Sequence, residues 1–219
     1  MIRAENLTKS YLLKGRRHYV FKDLSFTVPG KTNLGLLGIN GSGKSTLLRI
    51  LGGIDYPDAG KIHTDCNFSW PLGLRGGFVD HMSGRNNCKM ICRIYGMNNS
   101  RLPAALDKIQ QLSGIGDYFG DPVKTYSSGM KSRVAFALSM AFDFDYFILD
   151  EITAVGDKNF KKTAMAALEE KRLHSKVLMA SHQMSSLRDF CDSGIVLHQG
   201  EVQYFDVISD AIDFYNSIA

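Results

Sequence analysis

The sequence has no apolar run long enough to cross a bilayer. Its longest stretch without a charged residue, Thr32 to Gly43, is broken by four glycines and two asparagines, far short of the ~18 apolar residues of a spanning helix. Unaided membrane insertion is excluded. Cysteine is scarce as well: Cys66, Cys88, Cys92 and Cys191 are too few and too scattered for a disulfide framework. The first residues, Met1-Ile2-Arg3-Ala4-Glu5, lack the apolar core of a secretory signal, so a reducing compartment is expected. Cys88 and Cys92 stand at i, i+4 and can share a helix face, but no second ligand pair lies nearby, and buried free thiols are the expectation. Strong charge of either sign is also missing. With 26 Lys and Arg against 22 Asp and Glu, the net charge is +4, which suits an anionic ligand or membrane face without demanding either, and no nucleic-acid partner is expected.

What is present is ordinary globular composition. At 219 residues, 44% hydrophobic and 22% charged, the chain can bury a large core and has neither the apolar poverty nor the charge excess of a disordered segment. No internal repeat or low-complexity tract interrupts it. Residues 2–11 and 20–28 alternate in part, with Val20/Lys22/Leu24/Phe26/Val28 set against Phe21/Asp23/Ser25/Thr27, which predicts strands with one wet face. A basic loop, Lys14-Gly15-Arg16-Arg17-His18, is expected between them. Pro29-Gly30 turns the chain into the short apolar run 32–37, a buried strand. A helix over 44–51 follows, closed by Gly52-Gly53. Residues 86–115 read as two helices joined near Asn98-Asn99-Ser100, with Pro103 in the first turn of the second. The stretch 128–142 is apolar nearly all round, which predicts a central buried helix. A buried strand at 145–149, a helix over 158–173, a strand at 176–180, a helix at 184–190 and a strand at 195–199 continue the alternation of an α/β fold.

Three clusters carry chemistry. Gly38-Ile39-Asn40-Gly41-Ser42-Gly43-Lys44-Ser45-Thr46 lies between a buried strand and a helix. Its glycines let backbone N–H groups turn inward around phosphate oxygens at a helix N-terminus, where the dipole favours negative charge. Lys44 adds a point charge for the β- and γ-phosphates, and Ser45 offers a hydroxyl to Mg²⁺. The pattern is that of a phosphate-binding loop, and it predicts an ATP-hydrolysing P-loop domain. The second cluster, Tyr146 to Glu151, brings Asp150 to the metal shell and Glu151 beside an attacking water. In the third, Tyr126-Ser127-Ser128-Gly129-Met130-Lys131-Ser132-Arg133, small residues open a buried helix and offer a second phosphate site; an ordinary helix cap fits that stretch equally well.

Together these residues resemble the nucleotide-binding subunit of an ABC transporter over nearly the whole chain. The resemblance implies a RecA-like P-loop core with a mostly parallel sheet, an N-terminal antiparallel β part and an inserted helical subdomain at approximately 80–140, within one domain spanning 1–219. It further implies a head-to-tail homodimer in which each ATP lies between the phosphate loop of one copy and the signature of the other. The family signature is usually Leu-Ser-Gly-Gly-Gln; here Ser127 and Gly129 take the γ-phosphate roles, and Ser128 and Met130 depart from it. Tyr-Ser-Ser-Gly-Met is similar to the signature of polysaccharide-exporting subunits. So is Asp150-Glu151-Ile152-Thr153-Ala154-Val155-Gly156-Asp157, in which Ile152 replaces the usual proline and Asp157 falls on the D-loop aspartate. Ser69-Trp70-Pro71-Leu72, Gly76-Gly77-Phe78 and Arg93-Ile94-Tyr95-Gly96 resemble capsular polysaccharide exporters too.

By the same resemblance His182 is the switch histidine on the γ-phosphate, and Tyr11 stacks on adenine with Tyr19 as its rival. Val79-Asp80 occupies the place of the glutamine that senses Mg²⁺. The implied nucleotide-site residues are Tyr11, Gly38, Asn40, Gly41, Ser42, Gly43, Lys44, Ser45, Thr46, Ser127, Gly129 and Asp157. Ser45 and Asp150 hold Mg²⁺, and Lys44, Glu151 and His182 act in hydrolysis. The expected role is to power capsular polysaccharide export from the cytoplasmic face of the bacterial inner membrane, with a separate integral permease that alone handles the polymer. A soluble ABC ATPase outside transport, and a nucleotide-gated binding module of low turnover, are the rival readings.

Overall fold

The computed structural model describes residues 1–72, 77–150 and 158–218. These divide into two compact units: residues 1–71, 144–150 and 174–218 in the first, and 72, 77–143 and 158–173 in the second.

The first unit holds two sheets. Strands β1 (Ile2–Leu13) and β2 (Arg16–Val28) form an antiparallel hairpin, and β4 (Ala59–Thr64) pairs with the other edge of β1. Strand β3 (Leu34–Leu37) lies in the middle of a five-stranded sheet with β5 (Tyr146–Asp150), β6 (Lys176–Ala180), β7 (Ser193–His198) and β8 (Glu201–Phe205), ordered β5-β6-β3-β7-β8. Every pair is parallel except β7 with β8. The expected α/β class, with a mostly parallel sheet and an antiparallel N-terminal part, is therefore found.

Helix α1 (Lys44–Leu51) buries Thr46, Leu47, Leu48, Ile50 and Leu51. Its leucines join one core cluster with Leu7, Phe21 and Leu24 of the antiparallel sheet and Leu36, Ile148 and Leu197 of the five-stranded one. Eight residues are too few to be helical alone. Burial of each large apolar side chain, about 1.5–3 kcal/mol, is what fixes this helix.

Two expectations for the hairpin are corrected. The segment 14–18 is not a loop: the ladder continues through Tyr11↔His18, Leu12↔Arg17 and Leu13↔Arg16, closed by Lys14 and Gly15 at φ 49° and 77°, as a two-residue hairpin turn requires. Residues 12–18 are all exposed, so backbone pairing here buries no face and leaves no alternation to read. The alternation through residue 28 also breaks. An irregularity between Leu7↔Leu24 and Lys9↔Phe21, with Asp23 at φ 53°, changes the phase; Phe21 is buried and Lys22 exposed. Strands β4 and β8 were not anticipated: β4 is exposed along most of its length, and β8 has no fully buried residue, only the half-buried Val202, Tyr204 and Phe205. Helix α6 (Met184–Phe190) lies where the sequence placed it, whereas α7 (Ile208–Ile218) was not anticipated, although its buried Ile208, Ala211 and Ile212 show helical spacing.

The second unit contains α2 (Gly84–Ile94), α3 (Leu102–Ser113), α4 (Ser128–Ser139) and α5 (Lys158–Arg172). Pro103 lies in the first turn of α3. Helix α4 buries Ser132 and every residue from Val134 to Ser139, and Phe136 meets Phe160 of α5 edge to face with centroids 5.8 Å apart. Cys88 and Cys92 are buried free thiols whose pKa is pushed up by burial. The fully buried Asn87 organises the loop before α2. Its Oδ1 accepts from the Val79 N–H at 2.7 Å, and its Nδ2 lies 3.1, 3.2 and 3.0 Å from the carbonyl oxygens of Val79, Met82 and Ser83. Asn87→Ala leaves these groups buried and unpaired, so its unfolding free energy in urea should fall by about 2–3 kcal/mol.

Candidate nucleotide site

Strands β3, β6 and β5 are adjacent and parallel, so their carboxyl ends share one edge of the sheet, where ligands bind in open α/β folds. Three sequence-predicted segments lie there. Gly38 to Gly43 follows β3, Ser181-His182 follows β6, and Asp150 closes β5 opposite Ala180 of β6. The pairing of short apolar strands brings together residues 38, 150 and 182, which no local feature of the sequence connects.

The loop's shape depends on its glycines. Gly43, the N-cap of α1, sits at φ 104°, and a Cβ there would lie 2.6 Å from Val20 Cγ1. Gly38 passes so close to the Leu197 carbonyl that a Cβ would come within 2.5 Å of it. No side chain among the described residues caps α1, and its first turn holds no acidic residue. The Leu47 N–H makes an early helical bond to the Gly43 carbonyl at 2.9 Å; the N–H groups before it point out of the helix end, towards which an anion is drawn.

The Lys44 ammonium folds back over the loop, donating to the carbonyls of Gly38 at 2.5 Å and Ile39 at 3.0 Å. Asn40 and Gly41 are exposed, as is Ser45, while Thr46 is buried. Ser42 Oγ is buried yet has no hydrogen-bond partner among the described residues. The N–H groups at the start of α1, an ammonium and a buried hydroxyl without a partner among the described residues fit a polyphosphate.

Tyr11 is half-buried, its hydroxyl held by Asp55 and Arg49. Tyr19 is 39% exposed with the Lys22 ammonium 4.0 Å from its ring centre. Ser127 is the N-cap of α4, its Oγ accepting from the Met130 N–H at 3.2 Å. A Cβ on Gly129 would meet nothing closer than Ser127 Oγ at 3.8 Å, so this turn of the second unit is open above its backbone. Tyr126, in place of the usual leucine, is buried and donates to the Tyr118 carbonyl at 2.6 Å. Asp80, in the sensor-glutamine region, pairs with Lys131 of α4 at 3.2 Å. Glu151 and Asp157 lie outside the described residues.

The family model for ABC transporters matches residues 21–154, more than half of the chain. The chain belongs to the ABC transporter family. It is accordingly an ATP-binding protein and an ATPase. It is similar to the polysialic acid transport ATP-binding protein KpsT of Escherichia coli, 47% identical over 98% of this chain and 96% of the relative. The capsule polysaccharide export ATP-binding protein CtrD of Neisseria meningitidis is 38% identical over the full length of both. Among solved structures, a dimeric post-hydrolysis state of the ATP-binding cassette MJ0796 bound to ADP and Pi superposes with a TM-score of 0.76 at 19% identity, over 95% of this chain and 99% of that one. An ATP-binding subunit of an ABC transporter gives 0.79 at 19% identity, over 99% and 93%; both establish the cassette fold.

The crowding at Gly43 yields a direct test of this ABC cassette. Gly43→Ala places a Cβ against Val20 and forces a left-handed φ on an L-residue. ATP affinity by isothermal titration calorimetry should fall at least about tenfold, with the far-ultraviolet circular dichroism spectrum retained.

Proposed function

We propose that the chain is the ATP-binding subunit of a capsular polysaccharide exporter, acting as a homodimer beneath a separate integral membrane permease. The single observation that supports the site most strongly is the common edge of β3, β6 and β5, which gathers the phosphate loop, His182 and Asp150. The polysaccharide assignment follows from KpsT and CtrD, whose names specify polysialic acid transport and capsule polysaccharide export. No described helix is long and apolar enough to cross a membrane, which accords with a separate permease that supplies the path. Such a partner puts this subunit at the cytoplasmic face of the inner membrane. We take residues 1–219 as one ATP-binding domain, with its helical subdomain at approximately 80–140.

In this reading the loop N–H groups and Lys44 bind the β- and γ-phosphates. Tyr11 stacks on the adenine. The water oxygen attacks the γ-phosphorus, the bond from that phosphorus to the β–γ bridging oxygen breaks, and Glu151 takes the water's proton. His182 donates to the γ-phosphate, and Ser127 and Gly129 of a second copy close over it, with Asp157 at the dimer seam. Ser45 and Asp150 are the oxygen donors that would hold Mg²⁺, a hard cation suited to hydroxyl and carboxylate ligands. When bound, Mg²⁺ neutralises phosphate charge. Closure by ATP and reopening after hydrolysis would drive the permease, which alone contacts the polymer.

Glu151→Gln should bind ATP, dimerise and hydrolyse about 10²- to 10⁴-fold more slowly; undiminished phosphate release would refute the general-base role. Ser127→Arg should leave ATP binding by the monomer intact and abolish the ATP-dependent dimer in light scattering. Deletion of the gene should retain capsular polysaccharide inside the cell. Normal surface polysaccharide in the deletion strain would sink the substrate assignment.

A further inference from the structure

A side-chain chain runs from β1 to both ends of α1. Lys9 of β1, only 7% exposed, places its ammonium 2.6 Å from Asp55 Oδ1 and 2.7 Å from the Tyr56 carbonyl. Asp55 Oδ1 also accepts the Tyr56 N–H at 2.8 Å, and Oδ2 accepts the Tyr11 hydroxyl at 2.6 Å. That hydroxyl in turn accepts from Arg49 Nη2 at 3.1 Å, and the same nitrogen donates to Thr46 Oγ1 at 3.1 Å. Arg49 lies in the last turn of α1 and Thr46 in its first, directly after the phosphate loop. The Lys9 ammonium sits 5.0 Å from the centre of the Tyr11 ring. Burial works to raise the pKa of Asp55, and the hydrogen bonds from Lys9 and Tyr11 outweigh it and hold the group below its ordinary value, so it remains an acceptor at neutral pH.

We infer that Asp55, with Arg49, is a positioning residue that fixes the Tyr11 ring relative to the phosphate loop, so that part of the affinity for the nucleotide base is set by a carboxylate that never touches the nucleotide. This rests on the reading of Tyr11 as the stacking residue. A tyrosine on a strand near a hairpin turn has rotamers to lose on binding a base; a hydroxyl clamped by a carboxylate and a guanidinium has lost them beforehand. The guanidinium ties the ring to the helix that bears the phosphate site, so base and phosphates are bound by one rigid frame. Asp58 reinforces the same seam, accepting from the backbone N–H of Ser10 at 2.8 Å and its hydroxyl at 2.5 Å.

A base-specific role separates from a structural one when ATP is compared with inorganic tripolyphosphate, which offers phosphates and no base. Affinities for both are measured by isothermal titration calorimetry on the full chain, without divalent metal. Tyr11→Ala should weaken ATP about 5- to 100-fold, the worth of one aromatic–base stack, and leave tripolyphosphate unchanged. Asp55→Ala should weaken ATP about three- to tenfold with tripolyphosphate again unchanged. Tyr11→Phe, which keeps the ring and loses only the clamped hydroxyl, should reproduce that loss without disturbing the strand, and it serves if Asp55→Ala fails to fold. Equal losses for the two ligands would make Asp55 a merely structural residue and overturn the inference. So would unchanged ATP affinity in Asp55→Ala or Tyr11→Phe while Tyr11→Ala is impaired, which leaves the stacking reading standing. Unchanged ATP affinity in Tyr11→Ala, with Tyr19→Ala impaired, would overturn both.

Discussion

Four buried residues, Leu34 to Leu37, carry the geometry on which the nucleotide site depends. As β3 they pair in parallel with β6 on one side and β7 on the other, and their register decides where Gly38 leaves the sheet. Asn33 secures that register at the opposite end. Its Nδ2 donates to Asp192 at 2.9 Å, its Oδ1 accepts from the Val177 N–H at 3.1 Å, and its carbonyl accepts the N–H groups of Asp192 and Ser193. One nearly buried amide thus staples β3 to both neighbours. Buried strands so short have few ladder bonds of their own, and the side-chain bridge supplies cross-links where the strand begins.

From that anchored strand the site follows by packing. The loop leaves β3, wraps on Gly38 and Gly43 against Leu197 and Val20, and enters a helix held in the core from both sheets. The antiparallel sheet therefore does more than cover the core. Through Val20 it bounds the phosphate loop, and through Lys9 and Tyr11 it reaches the residues after α1. In the second unit, the buried amide of Asn87 and the buried hydroxyl of Tyr126 do a comparable service for the loop before α2 and the turn that starts α4.

Features with a buried face or an obligatory backbone conformation were legible in the sequence. The glycine spacing of 38–43, the apolar strands ending at Leu37 and Asp150, and the all-round apolar α4 each announced themselves, because burial and left-handed φ restrict residue type. Features built from backbone pairing alone were not. The extension of the hairpin through residues 12–18, and strand β4, expose most of their side chains, so nothing in their composition distinguishes them from loops; β8 buries no residue fully and offers too short an alternation to read. The break at Asp23 was hidden for another reason: a bulge changes the phase of an alternation whose residues still look alternating. The clamp on Tyr11 was beyond reach, since its members lie some 40 residues apart along the chain.

The sequence by itself determined that a phosphate loop exists and which residues compose it, because those properties rest on local chemistry and spacing; its other motifs carried a resemblance to an ABC cassette. Tertiary structure alone decided which distant groups share the site. The segments that carry residues 38, 150 and 182 share one sheet edge because β3, β5 and β6 lie side by side in parallel, and the Tyr11 hydroxyl is held because Arg49, in the last turn of α1, and Asp55, just beyond that helix, are carried to it together. Strand order and helix docking are set by burial summed over the whole core, and no short segment of sequence contains that sum.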